Sequence, residues 1–130
     1  MTDRLTIRSS DDVVRVRQRV RTAAVEAGLG LVDQTKVVTA ASELARNTLD
    51  YGGGGHVDVE LLSGSRRGVR LSFVDQGPGI PDIELALRDG WTSGKGLGLG
   101  LSGAKRLSSS FHIESTPGAG KRVVIERWKP

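Results

Sequence analysis

Glu43 and Asn47 stand four residues apart in Ser42-Glu43-Leu44-Ala45-Arg46-Asn47. On a helix that spacing puts both on one face. A carboxylate so placed accepts a proton from a water or hydroxyl nucleophile. The asparagine oxygen is a hard ligand suited to magnesium, which keeps several waters and bridges phosphates. A solvated helix face accounts for the same pair without any chemistry. Asp75-Gln76-Gly77-Pro78-Gly79 is the second group. A carboxylate at a strand end accepts a hydrogen bond from an exocyclic amine, and Gly77 and Gly79 let backbone approach something flat. A plain turn is built from the same residue types.

The third group is Ser93-Gly94-Lys95-Gly96-Leu97-Gly98-Leu99-Gly100-Leu101. Glycines on alternate positions make a loop whose amides come close to an anion, and a helix start behind it favours phosphate. Lys95 adds a positive charge. A flexible loop is the alternative reading, but each glycine that enters a helix costs about 1 kcal/mol. Two common phosphate motifs do not apply. Gly98-Leu99-Gly100-Leu101-Ser102-Gly103 has the glycine spacing of a dinucleotide site, yet a loop precedes it rather than a strand, and Glu114 comes too early for the ribose acid. Gly90 to Gly94-Lys95 is one residue short of a Walker loop, and Gly96 stands where that motif needs Ser or Thr.

The elements that must position these groups are legible from periodicity. Leu5 to Arg8 alternates as a short strand. Ser9-Ser10-Asp11-Asp12 caps a helix carrying Val13, Val16, Val20, Ala23, Ala24 and Ala27, which Gly28 stops. A second helix runs from Asp33 to Tyr51, with Val37, Val38, Ala41, Leu44, Ala45 and Thr48 on one side and Glu43 and Asn47 on the other. His56 to Leu62 and Arg67 to Val74 read as strands joined by a hairpin at Gly64-Ser65-Arg66. A short helix from Asp82 to Arg88, the glycine loop, a helix through Arg106, and strands Phe111 to Ser115 and Arg122 to Trp128 complete the chain. Helices early and strands mostly late predict an α+β two-layer sandwich, with helices on one face of a mostly antiparallel sheet.

Composition narrows the function classes. One hundred and thirty residues make one domain, 1–130, with material for a single core. Absence of cysteine excludes disulfides, thiol nucleophiles and cysteine metal sites. No apolar run reaches the ~20 residues of a membrane span. No apolar segment follows Met1-Thr2-Asp3-Arg4, so no signal peptide is expected and the reading is cytoplasmic. A net charge of +4 suits an acidic partner, a nucleotide or a nucleic acid. Arg15, Arg17, Arg19 and Arg21 lack interleaved aromatics, so no nucleic acid is expected.

The three groups occur together and in order, and the set resembles the GHKL ATPase superfamily, whose ATP-binding layer is the Bergerat fold. Glu43-Leu44-Ala45-Arg46-Asn47 is similar to its N box, Asp75-Gln76-Gly77-Pro78-Gly79-Ile80 to its G1 box, and Gly94 through Gly100 to its G2 box. Thr92-Ser93-Gly94 and Gly100-Leu101-Ser102-Gly103-Ala104-Lys105-Arg106-Leu107 resemble the RsbT-type switch kinases, which are related to anti-sigma factors. The resemblance spans nearly the whole chain. It implies Glu43 as general base, Asn47 on magnesium and Asp75 on the adenine amine. The implied ATP contacts are Asn47, Asp75, Gly77, Gly79, Ile80, Ser93, Gly94, Lys95, Gly96, Leu97, Gly98, Leu99 and Gly100, with Gly94 to Gly100 as a lid over the phosphates. It further implies a serine or threonine substrate on a STAS-type protein, and a phosphatase bound and activated in turn. An anti-sigma factor or non-catalytic nucleotide-dependent binding module is the alternative. One departure stands out. Relatives usually carry a threonine after the glycine turn before the last strand, where it helps hold adenine through water; here Gly118-Ala119-Gly120 is followed by Lys121-Arg122.

Overall fold

A computed structural model of the chain describes residues 2–77, 100–116 and 118–130. The helix expected from Asp82 to Arg88 and most of the glycine loop lie outside them. In chain order the elements are β1 (Thr2–Ile7), α1 (Ser10–Glu26), α2 (Leu31–Asp50), β2 (Gly55–Leu62), β3 (Gly68–Asp75), α3 (Gly100–Arg106), β4 (Ser110–Ser115) and β5 (Lys121–Trp128). The strands form one sheet in the order β1-β2-β3-β5-β4, with every neighbouring pair antiparallel. Helices cover one face of it, the α+β sandwich expected from the sequence.

Local chemistry explains where each helix begins. Ser9 caps α1 by accepting from the Asp12 amide, while the Asp12 carboxylate accepts from the Arg8 amide at 2.9 Å. The two bonds satisfy donors that a helix start leaves orphaned. The Arg8 amide is also the main cause that holds the Asp12 carboxyl below its ordinary range. α2 starts at Leu31, two residues earlier than the expected Asp33. Gly30 serves as its cap, with its carbonyl accepting from the Gln34 amide, so Leu31 and Val32 enter the helix although both are exposed. Their exposure is why apolar periodicity does not reveal this first half-turn.

The buried stripe of α1 (Val13, Val16, Val20, Ala23, Ala24) meets that of α2 (Val37, Val38, Ala40, Ala41, Leu44, Ala45), and both rest on the sheet. Strand alternation sends Val57, Val59, Leu71, Phe73, Val123 and Ile125 to the same side. Small residues on the helices bring them close to a sheet surface of larger ones. Leu101 and Ala104 anchor α3 against α2. Arg127, on the inner face, ties three elements together. Its Nε and Nη2 both donate to Asp33 Oδ1 at the start of α2, and its Nη1 donates to the Leu107 carbonyl after α3.

The outer face is polar and paired across strands. Arg4 meets Asp58 at 2.8 Å, and Arg70 bridges Glu60 at 3.1 Å and Glu126 at 2.7 Å. The Arg4 hydrogen bond holds the Asp58 carboxyl below its ordinary value. Burial pushes the Glu126 carboxyl up, but hydrogen bonds from the Trp128 indole and Arg70 outweigh it and the net shift is downward.

Two outcomes follow from this packing. Leu44 is 1% exposed in the α2–sheet interface, and Leu44→Ala is expected to lower unfolding stability by about 2–5 kcal/mol in chemical denaturation. Glu126 has a folded-state pKa below its unfolded value. Its stabilisation is therefore present above the ordinary carboxylate range of about 4.3 and is lost as pH falls through the depressed folded value. Glu126→Gln should shrink the stability difference between about pH 7 and about pH 3, measured by denaturant titration at both.

Candidate nucleotide site

The site begins where α2 ends. Glu43 is on the exposed side of α2, and Asn47 follows one turn later, partly buried. The Asn47 side-chain oxygen is itself buried and has no hydrogen-bond partner among the described residues. A buried acceptor without a donor is costly, so its position suits a group that arrives with positive charge. The helix closes on Tyr51, whose amide donates to the Asn47 carbonyl at 3.0 Å. Gly52 follows, packed against Asp75 of β3, before the chain enters β2 at Gly55.

Asp75 is the last residue of β3 and lies on its inner side, in line with Leu71 and Phe73. It is 3% exposed. Both carboxylate oxygens are engaged: Oδ1 accepts from the Gly77 amide at 3.0 Å, and Oδ2 accepts from Lys121 Nζ at 2.5 Å. The Gly77 bond closes a small turn of aspartate on its own downstream backbone. Lys121 is directly opposite Asp75 in the β3–β5 register and is only 8% exposed. A buried ion pair of this kind is strongly destabilising to break, because removing one partner strands the other charge away from water.

Missing side chains let these parts meet. A Cβ on Gly52 would run into Asp75 Cγ and stand 2.6 Å from Oδ2. A Cβ on Gly77 would lie 2.7 Å from Gly52 Cα. Gly120, just before Lys121, has φ +92°, and a Cβ there would collide with the Asp75 carbonyl. The ends of α2, β3 and β5 thus pack backbone against backbone around one carboxylate.

Of the expected site residues, the structure brings Asp75 and Gly77 together beside Gly52, five residues after Asn47. Glu43 is on the same helix as Asn47, one turn earlier. Gly100 opens α3. Gly79, Ile80, Ser93, Gly94, Lys95, Gly96, Leu97, Gly98 and Leu99 lie outside the described residues. Two residues of the node were not among the expected set: Gly52, and Lys121 as the partner of Asp75. Strand alternation carries the signal for Lys121. β5 begins one residue earlier than the expected Arg122, which places Lys121 on the inward side with Val123 and Ile125.

Comparison with known proteins decides the family. A family model described as histidine kinase-, DNA gyrase B- and HSP90-like ATPase matches residues 32–130. The chain belongs to this ATPase family. Among curated relatives of this GHKL domain, the chain is 42% identical over 118 residues to the serine/threonine-protein kinase RsbT of Bacillus subtilis (strain 168), covering 90% of this chain and 89% of that protein. It is 26% identical over 99 residues to the anti-sigma F factor of Thermoanaerobacter sp. (strain X514), covering 71% of this chain and 68% of that one. Among solved structures, the RsbU and RsbW domains of a Mycobacterium tuberculosis protein superpose with a TM-score of 0.70 at 21% identity, over all of this chain and 33% of that one. The mycobacterial sensor histidine kinase MprB superposes at 0.59 and 20% identity, covering all of this chain and 99% of that one. At these identities the structural matches establish the fold alone. Among the described residues no helix is long and apolar enough to cross a membrane.

The glycine junction yields a direct test. Gly52→Ala forces Asp75 to shift, so the variant should unfold more easily by about 1–3 kcal/mol. It should also lose nucleotide-analogue affinity by about tenfold in calorimetric titration.

Proposed function

We propose that this GHKL-family chain, as one domain over residues 1–130, is an ATP-dependent protein serine/threonine kinase of the RsbT type. The observation that carries the reading is the 42% identity to RsbT over nine-tenths of the chain, joined to a buried carboxylate and to an amide oxygen near the end of α2 that has no partner among the described residues. The substrate hydroxyl is a serine or threonine on a STAS-type antagonist protein in a bacterial stress or sigma-factor module. The phosphorylated partner is released, and the chain then binds and activates a phosphatase. The setting is cytoplasmic.

In this reading Asp75 accepts the adenine amine and Gly77 lines the base. The Asn47 oxygen fits a magnesium ion, since it is a hard, buried acceptor with no partner among the described residues. The ion neutralises phosphate charge when bound. Ser93, Lys95 and the glycines from Gly94 to Gly100 cover the phosphates, with Gly79, Ile80, Leu97 and Leu99 completing the ATP contacts.

Glu43 supplies the base. Its exposure on α2 leaves it open to a hydroxyl presented by another protein. The hydroxyl oxygen forms a bond to the γ-phosphorus, the bond from that phosphorus to the bridging oxygen breaks, and the hydroxyl proton passes to the Glu43 carboxylate. ADP leaves with the electron pair of the broken bond. Catalysis of this kind is mostly positioning and charge neutralisation.

The relatedness to an anti-sigma factor favours a second reading, in which nucleotide sets which protein is held and transfer is incidental. Glu43→Ala separates the two. Phosphate transfer from labelled ATP to the STAS partner should fall by about 10²–10⁴-fold while nucleotide binding persists. Undiminished transfer removes Glu43 as base; tight binding without transfer by the unsubstituted protein supports the second reading.

A further inference from the structure

Lys121 and Asp75 together present a donor and an acceptor side by side. The carboxylate Oδ2 and the ammonium Nζ are 2.5 Å apart, and their side chains are 2% and 6% exposed. Around them Gly52 packs on the carboxylate, Gly77 on Gly52, and Gly120 on the Asp75 backbone carbonyl, each too closely for a Cβ. An ammonium has three donors and spends one on Asp75; each carboxylate oxygen has a further lone pair beyond the bonds from Gly77 and Lys121. Among the described residues, both groups therefore keep capacity for a third party. Burying such a pair costs desolvation that an apolar pair of equal volume would avoid. Its position at the facing ends of β3 and β5, away from the apolar core, fits a cost carried for binding.

The edge of a purine ring carries adjacent polar atoms of alternating kind. Adenine offers a 6-amino donor beside the N1 acceptor; a 6-oxopurine offers the O6 acceptor beside an N1–H donor. A carboxylate alone accepts the adenine amine but faces O6 with like charge, and so rejects guanine and hypoxanthine. With an ammonium beside it, both patterns are answered. Adenine places its amine on Asp75 and N1 on Lys121. A 6-oxopurine, with its ring turned over relative to adenine, places N1–H on Asp75 and O6 on Lys121.

We infer that Lys121 is a base-reading residue that broadens the nucleotide specificity of this site, so that guanosine and inosine triphosphates bind alongside adenosine triphosphate. The inference rests on the nucleotide-binding reading given above and specifies which nucleotides that site accepts.

The test is calorimetric titration of the whole chain, with magnesium, against ATP, GTP, ITP and 1-deaza-ATP, in which carbon replaces N1. The unsubstituted protein should bind GTP and ITP within about tenfold of ATP, and 1-deaza-ATP about tenfold more weakly than ATP. In Lys121→Thr, GTP and ITP should weaken by about tenfold or more beyond any loss for ATP. Lys121→Gln, which retains a donor, should fall between. If Lys121→Thr does not fold, the panel on the unsubstituted protein decides. Rejection of both 6-oxopurines by more than about a hundredfold, or indifference to loss of N1, overturns the role of Lys121 and leaves the ATP reading standing. An unchanged preference in a folded Lys121→Thr does the same. Failure to bind any of the four nucleotides overturns both.

Discussion

The end of α2 and the end of β3 touch with no side chain between them but that of Asp75. This contact governs the arrangement of the whole candidate site. Gly52 is pressed against the Asp75 carboxylate, Gly77 against Gly52, and Gly120 against the Asp75 carbonyl. Each approach is closer than any residue with a Cβ permits. Asn47 and Asp75 come from a helix and a strand in different layers, and their separation is set by this junction. The core beneath it, Leu44 and Phe73 above all, holds the two elements at the angle that lets the junction form.

A buried charge sits at the centre of that junction, and it is held by a partner from another strand. Asp75 receives an amide from its own turn and an ammonium from β5. Without Lys121 the carboxylate would depend on the turn alone in a place water scarcely reaches. The pair thus satisfies a carboxylate that lies at the meeting point of three chain segments. The outer face of the sheet shows the contrasting case. Its ion pairs are partly solvated, can be rearranged cheaply, and serve mainly to pin strand register.

Much of the fold was open to reading because burial imposes periodicity. The apolar stripes of α1 and α2 and the alternation in β2 and β3 each leave a mark that survives without coordinates, and the helix-then-strand order points to an α+β sandwich. The misses are equally physical. α2 starts earlier than its apolar pattern because Leu31 and Val32 are exposed, so they carry no burial signal. β5 starts earlier because its first inward residue is a lysine, and a charged residue on an inward position breaks the alternation that marks a strand. Gly52 was hidden in a run of four glycines with nothing to distinguish it from its neighbours.

By itself the sequence determined which chemical groups this protein has and in what order: a glutamate and asparagine one helical turn apart, an aspartate at a strand end, and a glycine-rich stretch before a helix. Those are local properties, written in residue type and spacing. Tertiary structure alone decided which groups meet. The β3–β5 register puts Lys121 opposite Asp75 across 46 residues of chain, and the turn at Gly52 carries the end of α2 onto the same carboxylate. Register is set by the packing of Val123 and Ile125 beside Leu71 and Phe73 in one shared core, and no short window of sequence contains both sides of that contact.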